Sequence, residues 1–255
     1  MSFVPAITLP LRFRLPADAR FRITHLALPL GVLALLITAV NLGGWDGEWA
    51  DRLYAWQGHR WALRDAFLTE TMAHRAGHAL SVLGWCAVAV AWMVSMRREG
   101  LHAWRKPLAY LLLSVLVATT LVGFTKHWTN MDCPWDLARY GGTRPFIGLL
   151  GTRPVGLGRG ICFPAGHASS GYAWMALYYL LAVLRPRWRW TGLGVGLGIG
   201  LLFGISQQLR GAHFLSHDLW TLMICWTVAT LLFKAFWPVA ILYRSTGVEP
   251  VGARA

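Results

Sequence analysis

Residues 25–42 read "HLALPLGVLALLITAVNL". Whether this run is a core helix, a leader or a membrane span decides what kind of protein the chain is. At a rise of 1.5 Å per residue the run reaches about 27 Å, close to the hydrocarbon thickness of a bilayer. It starts well inside the chain, no small-residue cleavage site follows it, and five more apolar runs come after it. It therefore reads as a spanning helix and not as a signal peptide.

Working outward, the runs fall at about 25–43, 77–96, 107–126, 167–184, 191–208 and 215–236. Only 14% of the residues are charged and 56% are hydrophobic, whereas soluble domains carry about 25% charged residues. The mean hydropathy of +0.45 argues the same way, against a water-soluble domain. No internal repeat, low-complexity tract or linker interrupts the pattern. The expectation is a single all-α integral membrane domain over residues 1–255, with six transmembrane helices.

Charge sets the expected orientation. Arg12, Arg14, Arg20 and Arg22 precede the first run, "RREGLHAWRK" (97–106) joins the second to the third, and "RPRWRW" (185–190) joins the fourth to the fifth. In a six-helix weave these stretches share one side, together with Arg244 and Arg254 in the tail. Basic residues crowd short cytoplasmic loops, so both termini are expected to be cytoplasmic. The net charge of +13 reads as this topology signal plus attraction to anionic lipid head groups. Nucleic acid is not an expected partner, because the charge is not gathered on one soluble domain.

The opposite side receives two longer segments, about 44–76 and 127–166, and a short one near 209–214. The first contains "WDGEWADRLYAWQGHRWALRDAFLTE" (45–70), which mixes Trp and Leu with both charge signs. It reads as an amphipathic helix lying on the membrane surface, with a plain solvated loop as the alternative. Three clusters emerge on this same side. Lys126 stands where the third helix leaves the membrane, His167 where the fourth begins, in "CFPAGHASSGYAW" (162–174), and Arg210, His213, His217 and Asp218 where the sixth begins. Ionisable side chains at helix ends often only snorkel. Imidazoles and cations meeting at one depth point instead to a site.

Lys, Arg and His without a ring of acids suit a phosphate ester, whose dianion needs several cationic donors. Phosphoryl transfer asks mainly for positioning and charge stabilisation. One imidazole can attack phosphorus, and a second can protonate the leaving alkoxide, since imidazole titrates near neutrality. A partner beside the first must orient its ring. His213 with His217 or Asp218 would form that half of the site, and His167 the other.

The order of these clusters resembles the type 2 phosphatidic acid phosphatase (PAP2) family, the membrane branch of the phosphatase and vanadium haloperoxidase superfamily. Its three signatures, Lys-x6-Arg-Pro, Pro-Ser-Gly-His and Ser-Arg-x5-His-x3-Asp, correspond here to "KHWTNMDCP" (126–134), "PAGH" (164–167) and "SQQLRGAHFLSHD" (206–218). The resemblance covers about residues 20–240. It implies a PAP2-like bundle, a phosphohistidine intermediate, no metal or other cofactor, and lipid phosphates or isoprenoid diphosphates as substrates. By the same resemblance Lys126 matches the phosphate-binding lysine, His167 the general acid and His213 the nucleophile.

The chain also departs from the signatures. Cys133 stands at the first Arg position, Ala165 at the Ser, Gln207 at the second Arg, and His217 at the Asp, with Asp218 one place later. Arg210, Arg144 and Arg139 are the candidates to restore positive charge around the phosphate, with Gln207 in the place of the lost Arg. If residues 213–217 are helical, His217 shares a face with His213, while Asp218 points roughly 140° away. His217 is therefore favoured as the orienting partner, and Asp218 is the alternative. Cys133 and Cys162 share one outer segment and would pair in an oxidising periplasm, or stay as packing thiols. Cys86 and Cys225 lie within helices.

Three rival readings follow from the same residues. His213/His217 and His74/His78 are each spaced to share a metal, but a membrane hydroxylase uses about eight histidines on the cytoplasmic face, and His74 and His78 read more simply as polar helix ends. An intramembrane serine protease would use "ASSG" (168–171) but has no need of Lys126. A non-catalytic lipid-phosphate binder on the same fold would explain the substituted signatures. The expectation is a metal-independent lipid phosphatase, or a phosphotransferase acting on lipid A or undecaprenyl diphosphate, in a bacterial inner membrane with its site on the periplasmic face.

Overall fold

The computed structural model describes residues 16–149 and 151–243. Among the described residues there is no strand, only one isolated bridge between Leu137 and Arg144. Seven helices carry the architecture. Helix α1 is Ala17–Leu42, α2 is Trp45–Trp56 and α3 is Phe67–Arg97. Helix α4 is His102–Thr129, inside the apolar helical stretch Glu99–Asp136. Helix α5 runs over 166–184, helix α6 is Arg189–Leu209 and helix α7 is Leu215–Phe236. The predicted tails, with Arg12, Arg14, Arg244 and Arg254, lie outside the described residues.

Helices α1, α3, α4, α6 and α7 are each long and apolar enough to cross a membrane. Their outward faces leave Leu35, Leu80, Leu83 and Leu202 exposed. Exposed apolar surface on this scale needs hydrocarbon as its solvent, so the chain is an integral membrane protein. The fourth predicted run, α5, is not among the five. It is built from Gly166–Tyr172, a tighter turn at Ala173–Ala176, and Leu177–Leu184. Most of it is buried, and it packs against α4, α6 and α7. A helix sheltered by protein need not be as apolar as one facing lipid, which is why small and polar residues such as Ser169 and Ser170 are tolerated there.

Helices α5 and α6 lie backbone to backbone. Gly192, Gly196, Gly200 and Gly204 recur every fourth residue and line one face of α6. A Cβ on Gly196 would stand 2.3 Å from the Met175 amide nitrogen, and one on Gly200 would stand 2.0 Å from the Tyr172 ring. Small residues at fourfold spacing are the general device for close helix contact in membranes. At one end of the bundle, aromatic rings fill the core: Tyr110 donates to the Ala229 carbonyl (2.9 Å), and Tyr179 pairs with Thr230 (2.8 Å).

At the other end, α2 folds over the helix termini. Asp46 accepts from the Ser216 amide (2.8 Å) and hydroxyl, which caps the start of α7 from another segment. Trp49 donates to Gln208 at the end of α6 (2.8 Å). The segment after α4 is pinned as well. Arg144 and Arg153 both bind the buried Asp132 carboxylate, and Cys133 is bonded to Cys162 with Cα atoms 5.1 Å apart. Of the two alternatives for this cysteine pair, the structure has the bridge.

Candidate active site

The imidazole-bearing turns reach one place because of two local features. Between α6 and α7 the chain reverses at Gly211, whose φ of +74° suits glycine, and whose Cα lies so close to Trp61 that a Cβ would stand 2.4 Å from the indole. That turn delivers His213 just ahead of α7 and His217 within its first turn. The second feature ties "PAGH" to α7: the Ala165 amide donates to the His217 carbonyl (3.3 Å), and Thr221 donates to the Ala165 carbonyl (3.2 Å). Lys126 completes the group. Its Nζ would stand 3.0 Å from a Cβ on Gly166, so the ammonium lies against the start of α5 and a larger residue there would displace it.

His213 and His217 are both buried, and their Nδ1 atoms are 3.4 Å apart. The Cys162 carbonyl lies toward both rings. His213 is held well below the ordinary imidazole value, first by burial, then by the Lys126 ammonium and by His217, with the Cys162 carbonyl opposing them. It is therefore neutral at neutral pH, the form in which a ring nitrogen has a lone pair to give. The buried His217 Nε2 has no hydrogen-bond partner.

His167 Nε2 is 2.9 Å from the Ala73 carbonyl. A carbonyl can only accept, so Nε2 carries a proton and Nδ1 is left for exchange with a ligand. Ala73 lies in Phe67–Ala76, a ten-residue π-helical opening of α3. Such wide turns occur often at functional sites, because they rearrange backbone groups that an α-helix would occupy.

Other predicted site residues are spoken for. Arg210 is buried, paired with Glu70, and donates to the Arg64 carbonyl (2.6 Å) and to Gln207 Oε1 (3.1 Å). Gln207 is buried, and its Nε2 has no partner. Arg144 is tied to Asp132 and to the Arg159 carbonyl, and its carboxylate partner holds it above the usual guanidinium value. Arg139 pairs with Asp51 on α2 and is exposed, away from the imidazoles. Asp218 accepts from Gln208 and lies against Gly204, where a Cβ would be 2.7 Å from its carboxylate. It faces α6, whereas His217 faces His213. Lys126, His167, His213 and His217 come together, and Arg139, Arg144 and Asp218 do not join them.

Sequence reasoning missed the contribution of α3. His74 and His78, expected to be polar helix ends, lie against His167, with ring centroids 4.5 and 6.3 Å away. Glu70 sits one turn earlier, 3.5 Å from His74 Nδ1. The signal was present in the fourfold spacing of Glu70, His74 and His78, which puts them on one helical face. Among the described residues one trio of possible metal ligands is close together, Cys133, Asp136 and Cys162. Its two sulfurs are bonded to each other and are not thiolates.

The sequence model of the PAP2 superfamily matches residues 107–240, which is α4 to α7 and every signature described above. No curated protein and no solved structure matches the chain.

Proposed function

The chain belongs to the PAP2 superfamily, whose members act as phosphatases on phosphate esters, and from that premise we propose that it is a metal-independent lipid phosphatase working through His213. The observation that carries this reading is the buried His213–His217 pair beside Lys126, with Nδ1 atoms 3.4 Å apart. His213 donates its Nδ1 proton to His217 Nδ1, which leaves the Nε2 lone pair free. Nε2 attacks phosphorus as the bond from phosphorus to the ester oxygen breaks. The Lys126 ammonium stabilises the phosphoryl oxygens. Burial holds His167 down to about 4, so the ring takes up its second proton when the phosphate dianion binds; the departing oxygen takes that proton from Nδ1, with the ring held through Nε2 by the Ala73 carbonyl. Water then attacks the phosphohistidine and gives its proton to His167, and inorganic phosphate leaves. Lys126, His167, His213 and His217 carry the reaction, and Gln207 offers its free amide to the phosphate.

The substrate is a lipid phosphate, and the reading places the site on the periplasmic face of a bacterial inner membrane. A phosphotransferase differs only in the last step, where a lipid hydroxyl or phosphate takes the place of water. A catalytically weak lipid-phosphate binder is favoured by one observation: Arg210, Arg144 and Arg139 are already bound to Glu70, Asp132 and Asp51.

A phosphate-release assay across phosphatidic acid, phosphatidylglycerol phosphate, undecaprenyl diphosphate and lipid A tests these readings. His213→Ala is expected to abolish turnover and the covalent phosphoryl-enzyme. His167→Ala is expected to slow the reaction by roughly 10²–10⁴-fold, and less for an aryl phosphate whose leaving group needs no proton. Turnover surviving in His213→Ala, or activity lost to a chelator and restored by a divalent metal, overturns the mechanism. Binding of the same lipids with no turnover leaves the binder.

A further inference from the structure

A cavity opens at the end of the bundle remote from the imidazoles. It has a volume of about 550 Å³, within the usual range for small-ligand sites. Its walls come from α1, α5, α6 and α7, and Leu28, Val32, Met175, Leu193, Leu197 and Leu222 are among the residues that line it. Arg189 begins α6 and lines this cavity, while Gln207 stands near the other end of α6, on the chain just ahead of His213. At 1.5 Å per residue the two ends are about 27 Å apart.

The mouth differs from the walls. Arg20 and Trp190, both exposed, line the cavity together with the half-buried Arg189 and Tyr243. Arg20 lies over the Tyr243 ring at 4.8 Å and Arg189 over Trp190 at 5.5 Å. Among the described residues neither arginine has a carboxylate partner. The nearby Asp18 pairs with Arg22 and Lys234 instead. His25, between them, is satisfied by Thr24 (2.7 Å) and Tyr178 (3.1 Å), so it adds no open donor of its own.

An apolar slot between membrane-spanning helices, lined by two cations that have no carboxylate partner among the described residues, fits an amphiphile of opposite charge. We propose that this cavity binds one membrane lipid with an anionic phosphodiester head group. An acyl chain occupies the slot, and Arg20 and Arg189 hold the phosphate at the mouth. Basic pockets between transmembrane helices recognise anionic lipids in this manner. The site is separate from the His213 site and does not depend on the reading of its chemistry.

Native mass spectrometry of the full chain in detergent tests the proposal, with dioleoyl phosphatidylglycerol, dioleoyl phosphatidylcholine and chain-free glycerol phosphate as probes. Phosphatidylglycerol should be retained in preference to phosphatidylcholine, and glycerol phosphate should not compete. Replacing one arginine should weaken phosphatidylglycerol binding ~5-fold, and Arg20→Ala with Arg189→Ala together ~30-fold. Phosphatidylcholine binding should not change, and the control pair Arg97→Ala and Arg98→Ala should have no effect. Leu197→Trp should fill the slot and remove both lipids, and if that variant fails to fold, the arginine pair still decides. Equal retention of the two lipids, an unchanged preference in the double variant, or competition by glycerol phosphate overturns the proposal. So does a dimer that forms across this face and carries no lipid.

Discussion

His213 keeps a neutral imidazole inside the protein, beside the ammonium of Lys126 and the ring of His217. The same burial that keeps the ring neutral makes the fold acid-sensitive. Its folded-state value is depressed, so above pH ~6.5, the ordinary imidazole value, both folded and unfolded forms are neutral and pH has no effect. As pH falls below that point the unfolded chain takes up a proton that folded His213 refuses, and stability is lost. The slope is about 1.4 kcal/mol per pH unit for each imidazole kept neutral. Thermal unfolding of His213→Gln between pH 7 and pH 5 should therefore show a shallower loss than the unsubstituted chain. Equal slopes would mean that His213 is free to protonate in the folded state. Sequence reading already placed His167 and His213 where the fourth and sixth apolar runs begin. It had no means of knowing that Asp218 is turned to Gln208 and Gly204. The helical phase expected for residues 213–217 does not apply, because α7 begins at Leu215 and His213 lies ahead of it; Asp218 is kept apart by its contacts with Gln208 and Gly204.

The decisive contact between elements is the glycine face of α6 against α5. A Leu at Gly196 must push its Cβ against the Met175 backbone, which is 2.3 Å from where that atom would stand. Backbone cannot rotate out of the way as a side chain can, so the two helices must separate. The expected cost is about 1–3 kcal/mol or more. Gly194, one turn edge away, has nothing within 4 Å of a built Cβ and is exposed. Gly194→Leu should leave the melting temperature in detergent unchanged or raise it, while Gly196→Leu should lower it. A loss of equal size in both would show that helix propensity, and not the contact, sets the requirement. The π-helical opening of α3 is the other element-scale feature. It is there that Ala73 meets His167, and no periodicity in "FLTETMAHRA" (67–76) announces it.

At the scale of the whole molecule, topology decides which face of the membrane receives the imidazoles. From the short basic loops we propose that they lie outside the cytoplasm. A reporter active only outside the cytoplasm should be active when fused after residue 150, and silent after residue 100 or residue 188. The reverse pattern would move the substrate to the other leaflet. What the sequence by itself determined is the class of protein and its candidate chemistry. Apolar runs of bilayer length, few charges and three clusters of Lys, Arg and His are properties of local composition and spacing, present before any contact forms. What only the tertiary structure decided is which of those groups remain free. Arg139 is consumed by Asp51 from 88 residues away, Arg144 by Asp132, and Arg210 by Glu70. The fourth apolar run became an interior helix because its neighbours, and not lipid, surround it. Ion pairing and burial join residues distant in sequence, so they leave no local mark from which they could be read.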